Sequence, residues 1–196
     1  YELAQCLVGS EMCIRDRAVP EALAITLESG PGFYPVLLME NDMLDMRLGN
    51  SGDIPFIMNL VRDGITSGAF FYAEGNGLET VRSELQSVTQ QYRDNIPVGD
   101  YLFVFAEKLT RQPVGFSLLT GRNDFAGRAS HLEIRMFAVA ADEQGKGIGK
   151  SMLASIIEAT PGHRLEASCL PPATKMMRLL AGSGFKHIHE TQGGKK

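Results

Sequence analysis

The sequence is poor in cysteine, in long apolar runs and in excess positive charge, and each shortage excludes a class of protein. Three cysteines in 196 residues, without paired or metal-type spacing, argue against a disulfide scaffold and a zinc site. No apolar run approaches the roughly 18 residues that cross a bilayer, and no secretory signal is recognisable at the N-terminus. A formal net charge of -4 provides no basic surface for nucleic acid or membrane. We therefore expect a cytoplasmic protein without a bound metal.

One N-terminal segment looks foreign to the rest of the chain. Residues 7–17 read LVGSEMCIRDR, which resembles the in-frame translation of a transposase-type sequencing-library adaptor. We expect residues 1–17 to be an artefact without contacts to the domain, and a natural N-terminal extension is the alternative. The gene would then come from an assembled environmental, bacterial read. Residues 18–45 are an extension of uncertain origin, and the domain is expected over residues 46–196.

The hydrophobic pattern of this domain predicts a mixed α/β (α+β) fold. Strands are predicted at 44–48, 101–107, 113–120, 131–140, 164–169 and 186–190, and helices at 54–61, 78–92, 148–157 and 171–180. The order is β-α-α-β-β-β-α-β-α-β, in which the three central strands form an antiparallel meander. We therefore expect a mixed sheet with helices on its faces.

A glycine-rich stretch, EQGKGIGKS from Glu143 to Ser151, lies between a predicted strand and a predicted helix. A P-loop requires a glycine where the chain has Gln144, and a dinucleotide fingerprint requires one where it has Lys150. Only 45 residues follow Ser151, too few for the parallel sheet of a P-loop nucleotide hydrolase. A glycine-rich turn without a ligand is a further alternative.

The backbone of this stretch can hold a diphosphate, since unpaired N–H groups converge at a helix N-terminus. Gly147 and Gly149 let a ligand approach without a Cβ in the way. Lys146 and Lys150 either add charge or are simply solvated. The residues that we expect to contribute are Gln144, Gly145, Lys146, Gly147, Ile148, Gly149 and Lys150.

The pattern Q-x-x-G-x-G, made by Gln144, Gly147 and Gly149, resembles the loop that holds the pyrophosphate of acetyl-coenzyme A in the GNAT superfamily of N-acetyltransferases. The resemblance covers about residues 46–190. It implies the GNAT fold, with a mostly antiparallel sheet. It also implies acetyl transfer by direct attack of a primary amine, on a small molecule or a peptide, in a monomer or homodimer.

The same resemblance assigns roles to the strand at 131–140. It implies that this strand parts from the next one and that the pantetheine arm fills the gap against the backbone of Phe137 and Val139. A backbone N–H near Ala138 or Val139 would stabilise the oxyanion. Glu133, eleven residues before Gln144, is the candidate general base, because a half-buried carboxylate has a raised pKa. The alternative is that Glu133 pairs with Arg135 or a neighbouring strand.

The chain departs from the family where a leaving thiolate is usually protonated. Leu180 stands where many members have a tyrosine, and Ala173 where an asparagine is common. Ser168, Cys169 and Thr174 are nearby, although Cys169 fits a small buried hydrophobe better than a nucleophile. A module that binds acyl-coenzyme A without turnover is therefore the second functional hypothesis. The loop with Phe70, Phe71, Tyr72 and Glu74 is expected to line the acceptor pocket.

Overall fold

Seven strands form one sheet in the described part of the chain, and four helices cover its two faces. The computed structural model describes residues 22–27, 44–70, 77–93, 99–123 and 129–191. The strands are β1 (Ala22–Leu27), β2 (Leu44–Leu48), β3 (Asp100–Glu107), β4 (Pro113–Asn123), β5 (Ala129–Val139), β6 (Arg164–Cys169) and β7 (Lys186–Thr191). The helices are α1 (Ile54–Thr66), α2 (Gly77–Arg93), α3 (Ile148–Ala159) and α4 (Thr174–Gly182).

The strand order across the sheet is β2-β3-β4-β5-β6-β1-β7. Strands β3, β4 and β5 pair as the predicted antiparallel meander, and among the described strands only β5 and β6 run parallel. The predicted mixed, mostly antiparallel sheet is confirmed, and from β2 onward the elements follow the predicted order. Helix α4 begins at Thr174, after the two prolines, because Pro171 and Pro172 form the preceding turn.

Strand β1 is an addition to the predicted pattern. It lies between β6 and β7 and pairs antiparallel with both, with Leu23 opposite Cys169 and Leu27 opposite Leu165. The extension at 18–45 therefore contributes a strand, for which the apolar and β-branched run ALAITL is suited. Residues 1–17, expected to be an artefact, lie outside the described residues.

Each face of the sheet has its own apolar core. Side chains of β3, β4 and β5 pack under α1 and α2, and they are Leu102, Val104, Phe116, Leu118, Met136 and Ala138. The opposite face packs under α3 and α4 with Phe105, Leu119, Leu132, Ile134, Phe137, Val139, Leu165, Ala167 and Cys169. Full burial of such a side chain contributes about 1.5–3 kcal/mol. These two cores keep both faces of β5 covered by helices.

The start of α1 is anchored to the edge strand β2. The Asn50 side chain accepts from the Gly52 N–H, and the Asp53 carboxylate accepts from the Asn50 N–H in a capping box. Arg47 donates to both carboxylate oxygens of Asp53, at 2.7 and 2.6 Å. Burial opposes ionisation of Asp53, but the bonds from Arg47 and Asn50 outweigh it and hold its pKa below the ordinary value. None of the described helices has the length and apolarity to cross a membrane.

Candidate active site

A gap opens where β5 and β6 part. The two parallel strands pair only over residues 131–134 of β5 and 164–167 of β6, whereas β5 continues to Val139. On its other edge β5 stays paired with β4 as far as Val139, opposite Gly115. The last part of β5 therefore has one edge in the sheet and one edge turned to the gap.

Two residues of β5 turn their backbone groups to this gap. Ala140 donates its N–H to the Val114 carbonyl of β4 at 2.8 Å. Because backbone groups of alternate residues point to the same side of a strand, Ala138 also faces β4, whereas Phe137 and Val139 face the gap. The Gln144 side chain lies on that side, since its Nε2 donates to the Val139 carbonyl at 3.0 Å. Phe137 thus turns its N–H and its carbonyl to the gap, and Val139 turns its N–H there, where an extended ligand could pair with them.

The glycine-rich stretch leads from the end of β5 into α3 through a 3-10 turn, Ala141–Glu143. Gly145 and Gly147 have φ angles of 76° and 83°, in the left-handed region that favours glycine. Gly147 is the N-cap of α3 and supplies no side-chain cap, and the helical bonding starts with the Ser151 N–H to the Gly147 carbonyl at 3.1 Å. The N–H groups of Ile148, Gly149 and Lys150 precede that bond, as an anion site at a helix N-terminus requires.

Gly149 lies next to the gap. A Cβ at this position would lie 3.5 Å from Leu179, 3.7 Å from Val139 and 3.8 Å from Phe137. A methyl group would therefore fit against existing side chains, and a larger one would fill the space between α3 and β5.

The charges of this loop are exposed. Lys146 forms an ion pair of 2.9 Å with Glu143, so part of its charge is neutralised within the loop. Lys150 is exposed on the first turn of α3. Exposed ion pairs contribute about 0–1 kcal/mol, so an ion pair with Lys146 or Lys150 would add little to the binding of an anion at this loop. Gln144 keeps a buried Oε1 that has no hydrogen-bond partner among the described residues.

A bulge in β5 decides which side chains face α1 and α2. Leu118 is opposite Met136 and Leu119 is opposite Ile134, so Arg135 is the extra residue. Since Leu132 and Ile134 face α3 and α4, Glu133 between them faces the α1/α2 side. Glu133 is 4% exposed and lies just before the point at which the gap opens.

Polar side chains surround Glu133 on this face. Thr120 of β4 and Glu166 of β6 are its register partners on either side. Glu166 lies within ion-pair distance of Arg164 and His131, with its Oε1 3.2 Å from Arg164 Nη2 and its Oε2 3.3 Å from His131 Nε2. The proposed alternative partner, Arg135, makes a two-point ion pair with Glu84 of α2, of which one bond is 3.1 Å. The cluster combines a buried carboxylate with a second carboxylate that lies within ion-pair distance of an arginine and a histidine.

Thr120, His131 and Glu166 were not predicted as site residues, because nothing in the sequence signals their alignment. Each lies in a strand whose local pattern is that of an ordinary sheet, and they meet only through the pairing of β4, β5 and β6. The bulge at Arg135 would be needed to place them, and no glycine or proline marks it.

The two positions at which the sequence lacks the expected polar residues, 173 and 180, carry apolar and buried side chains. Leu180 and Ala173 are both 0% exposed in the core under α3 and α4. Cys169 is equally buried in that core, which agrees with its interpretation as a small hydrophobe. Ser168 is partly buried, and Thr174 is exposed at the start of α4.

The loop expected to line the acceptor pocket is described only in part. Phe70 is 3% exposed and packs in the core under α1 and α2. The other three residues of that expectation fall within 71–76, outside the described residues. In the part of the chain that is described, no three histidine, cysteine or carboxylate side chains are grouped as metal ligands.

The chain matches the model of one known protein family. The model of the acetyltransferase (GNAT) family matches residues 72–185, which is more than half of the chain. No curated protein matches the sequence.

Several solved structures share the fold. The ribosomal-protein-S5-alanine acetyltransferase of Vibrio fischeri is 19% identical with a TM-score of 0.52, over 72% of this chain and 78% of that one. An acetyltransferase of Trypanosoma brucei is 21% identical with a TM-score of 0.51, over 78% of this chain and 99% of that one. A predicted acetyltransferase of Clostridium acetobutylicum, solved with acetyl-CoA, is 14% identical with a TM-score of 0.51, over 74% and 92%. At these identities the likeness concerns the fold alone.

Proposed function

We propose that this chain, which belongs to the acetyltransferase (GNAT) family, transfers the acetyl group of acetyl-coenzyme A to a primary amine. The acceptor is a small molecule or a peptide, and its amine attacks directly. The observation that carries the proposal is the gap between β5 and β6, which opens next to the uncapped N-terminus of α3. A ligand with an extended amide arm and a diphosphate would use both features.

The residues present fit acetyl-coenzyme A. Phe137 and Val139 offer main-chain groups to an extended arm, as the free edge of a strand does. The N–H groups at the start of α3 suit the diphosphate, and the left-handed Gly147 gives the loop its shape. When bound, the thioester supplies the activated acetyl group, and the chain has to orient it and move one proton.

The backbone N–H of Phe137 is the best-placed donor for the oxyanion. The family resemblance predicted an N–H near Ala138 or Val139, but Ala138 directs its backbone to β4. Between the two gap-facing residues, Phe137 lies nearer to Glu133 along the strand. A preorganised N–H at this place would stabilise the negative charge that forms on the carbonyl oxygen.

Glu133 acts as the general base. An alkylammonium has a pKa of about 10, so the acceptor is charged at neutral pH and must lose a proton before it attacks. Glu133 lies four residues before Phe137 on β5, and its carboxylate takes the proton from the amine through one bridging water. The new C–N bond forms as the C–S bond breaks. The proton that the ammonium loses before attack goes to Glu133, and the second nitrogen proton, released as the amide forms, passes to solvent.

Departure of coenzyme A proceeds as the thiolate. Leu180 and Ala173 are buried apolar residues where the family often has polar ones, and they donate no proton. A thiol has a pKa of about 8.5, so the thiolate leaves without a dedicated acid and takes its proton from solvent. The same feature supports the second hypothesis, a module that binds acyl-coenzyme A without turnover.

A panel of primary amines, assayed for thiol release, separates the two hypotheses. Transfer predicts amine-dependent release of coenzyme A, whereas a binding module shows affinity for acetyl-coenzyme A by calorimetry and no release. The absence of both binding and release would contradict the proposal as a whole.

The variant Glu133→Gln tests the base. We expect turnover to fall about 10²–10⁴-fold while acetyl-coenzyme A affinity holds, because the amide keeps the shape and loses the basicity. The rate of the wild type rises with pH as the carboxylate forms, and this rising limb should vanish in the variant. Glu158→Gln, which removes an exposed carboxylate on α3, is the matched control. Near-full activity of Glu133→Gln with the limb intact would assign proton removal to another group.

A further inference from the structure

The hydroxyl of Thr120 is an unexplained polar group on a residue that pairs with the proposed base in the sheet. Its Oγ1 is buried and has no hydrogen-bond partner in the described ranges. A buried hydroxyl without a partner is uncommon in a native structure, and such an atom commonly marks a place for water or ligand. Threonine is a good strand former, so its presence in β4 alone needs no function. The feature that needs an explanation is the buried oxygen without a hydrogen-bond partner.

Thr120 and Glu133 are direct neighbours on one face of the sheet. They are register partners on the antiparallel strands β4 and β5. Leu118 packs under α1 and α2 while Leu119 packs on the opposite face, which places Thr120 on the α1/α2 side with Glu133. Side chains opposite each other in such a pair have Cβ atoms about 4.5–5.5 Å apart. The two side chains are therefore neighbours, and the Thr120 hydroxyl has no direct hydrogen bond with the Glu133 carboxylate.

Thr120 is also enclosed on its other side. Asp100 of β3 is its second register partner, so the hydroxyl lies in a row between two acidic residues. A hydroxyl can donate one hydrogen bond and accept others, and a carboxylate only accepts. A water between Thr120 and Glu133 can donate to Glu133 and accept from Thr120, and it keeps one further hydrogen and one lone pair for the acceptor.

We propose that Thr120 is a positioning residue, whose hydroxyl holds the water that carries the proton from the acceptor amine to Glu133. This inference rests on the proposed acetyl transfer and adds to it a residue that acts through the base. The water accepts a proton from the amine nitrogen as it gives one to the Glu133 carboxylate. Its hydrogen bond with Thr120 fixes its orientation before the transfer.

The variant Thr120→Val keeps the shape of the side chain and removes the hydroxyl. Loss of one buried hydrogen bond to the water should lower kcat about 10–100-fold, with KM for acetyl-coenzyme A and for the amine unchanged. Thr120→Ser keeps the hydroxyl and should restore most of the rate. Thr89→Val is the matched control, because the Thr89 hydroxyl is buried in α2 and bonds the Gln86 carbonyl at 3.1 Å, away from the site.

A double-mutant cycle with Glu133→Gln distinguishes a positioning role from a structural one. If Thr120 acts through Glu133, Thr120→Val should have almost no further effect on kcat in the Glu133→Gln background. Full additivity of the two losses would overturn the proposal, as would equal losses in Thr120→Val and Thr120→Ser or a rise in KM alone. A wild type that turns over no amine contradicts the proposed function and this inference together, whereas wild-type turnover with additive losses contradicts only the role of Thr120.

Discussion

Gly147 allows the backbone contribution to ligand binding to be measured separately from stability. Its φ is 83° and a Cβ built on it would meet no atom within 4 Å, so Gly147→Ala introduces backbone strain without a steric clash. A non-glycine residue in the left-handed region costs about 1–2 kcal/mol. For a chain of this size that corresponds to a melting temperature lower by about 2–8 °C.

Gly147→Ala should weaken the binding of acetyl-coenzyme A by more free energy than the backbone strain costs in stability. Relief of the strain rotates the backbone at Gly147 and redirects the N–H groups that follow it at the start of α3. Each hydrogen bond to a charged group that is lost costs about 1.5–3 kcal/mol, so the Kd for acetyl-coenzyme A should rise at least about tenfold. Lys146→Ala, which removes an exposed charge already paired with Glu143, should raise the Kd only a few-fold.

Gly162 provides a matched control. It has a φ of 76°, no atom within 4 Å of a built Cβ, and a position beyond the opposite end of α3. Gly162→Ala should lower the melting temperature by a similar amount and leave the Kd unchanged. Titration calorimetry of Gly147→Ala, Lys146→Ala and Gly162→Ala measures the Kd, and scanning calorimetry measures the melting temperature. Equal Kd values for Gly147→Ala and Gly162→Ala would refute the backbone cradle.

Two further predictions concern the fold. The Tyr92 hydroxyl accepts from the Leu102 N–H at 2.6 Å and donates to the Asp100 carbonyl, so Tyr92→Phe should cost about 1–3 kcal/mol in urea unfolding. Burial raises the pKa of Tyr92 to about 12. The stability difference between the wild type and Tyr92→Phe should therefore be complete below the ordinary pKa of 10.0 and disappear as pH rises through about 12. A stability difference that is independent of pH would contradict this. Leu23 of β1 is opposite Cys169 of β6. A Leu23→Cys variant, in which both N-terminal cysteines are replaced by serine, should therefore form an intramolecular disulfide with Cys169. Absence of this disulfide in mass spectrometry would contradict the position of β1 beside β6.

Local sequence patterns were sufficient to predict the helices and strands of the domain. Period-two runs of β-branched and aromatic residues specify β3 and β4, and apolar residues at helical spacing specify α2, because each pattern follows from the geometry of one element. The glycine loop was equally readable, since its place between a strand and a helix is a property of contiguous residues. The family membership could be inferred from these two observations together.

Strand partners were not readable in the same way. The run ALAITL allows a strand, but nothing local to it indicates a place between β6 and β7. Pairing joins segments that are distant in the chain, and any short apolar strand satisfies the backbone of a neighbour equally well.

The sequence by itself thus determined the element order from β2 onward, and it indicated the glycine-rich loop and Glu133 as candidate site residues. Only the tertiary structure decided what surrounds that base. The bulge at Arg135 shifts β5 by one residue against β4, and a shift of one residue exchanges the two faces of a strand. This register, together with the parallel pairing to β6, brings Thr120 and Glu166 to either side of Glu133 and turns Phe137 instead of Ala138 to the gap. Such an alignment is a property of three strands at once, and no single stretch of the chain encodes it.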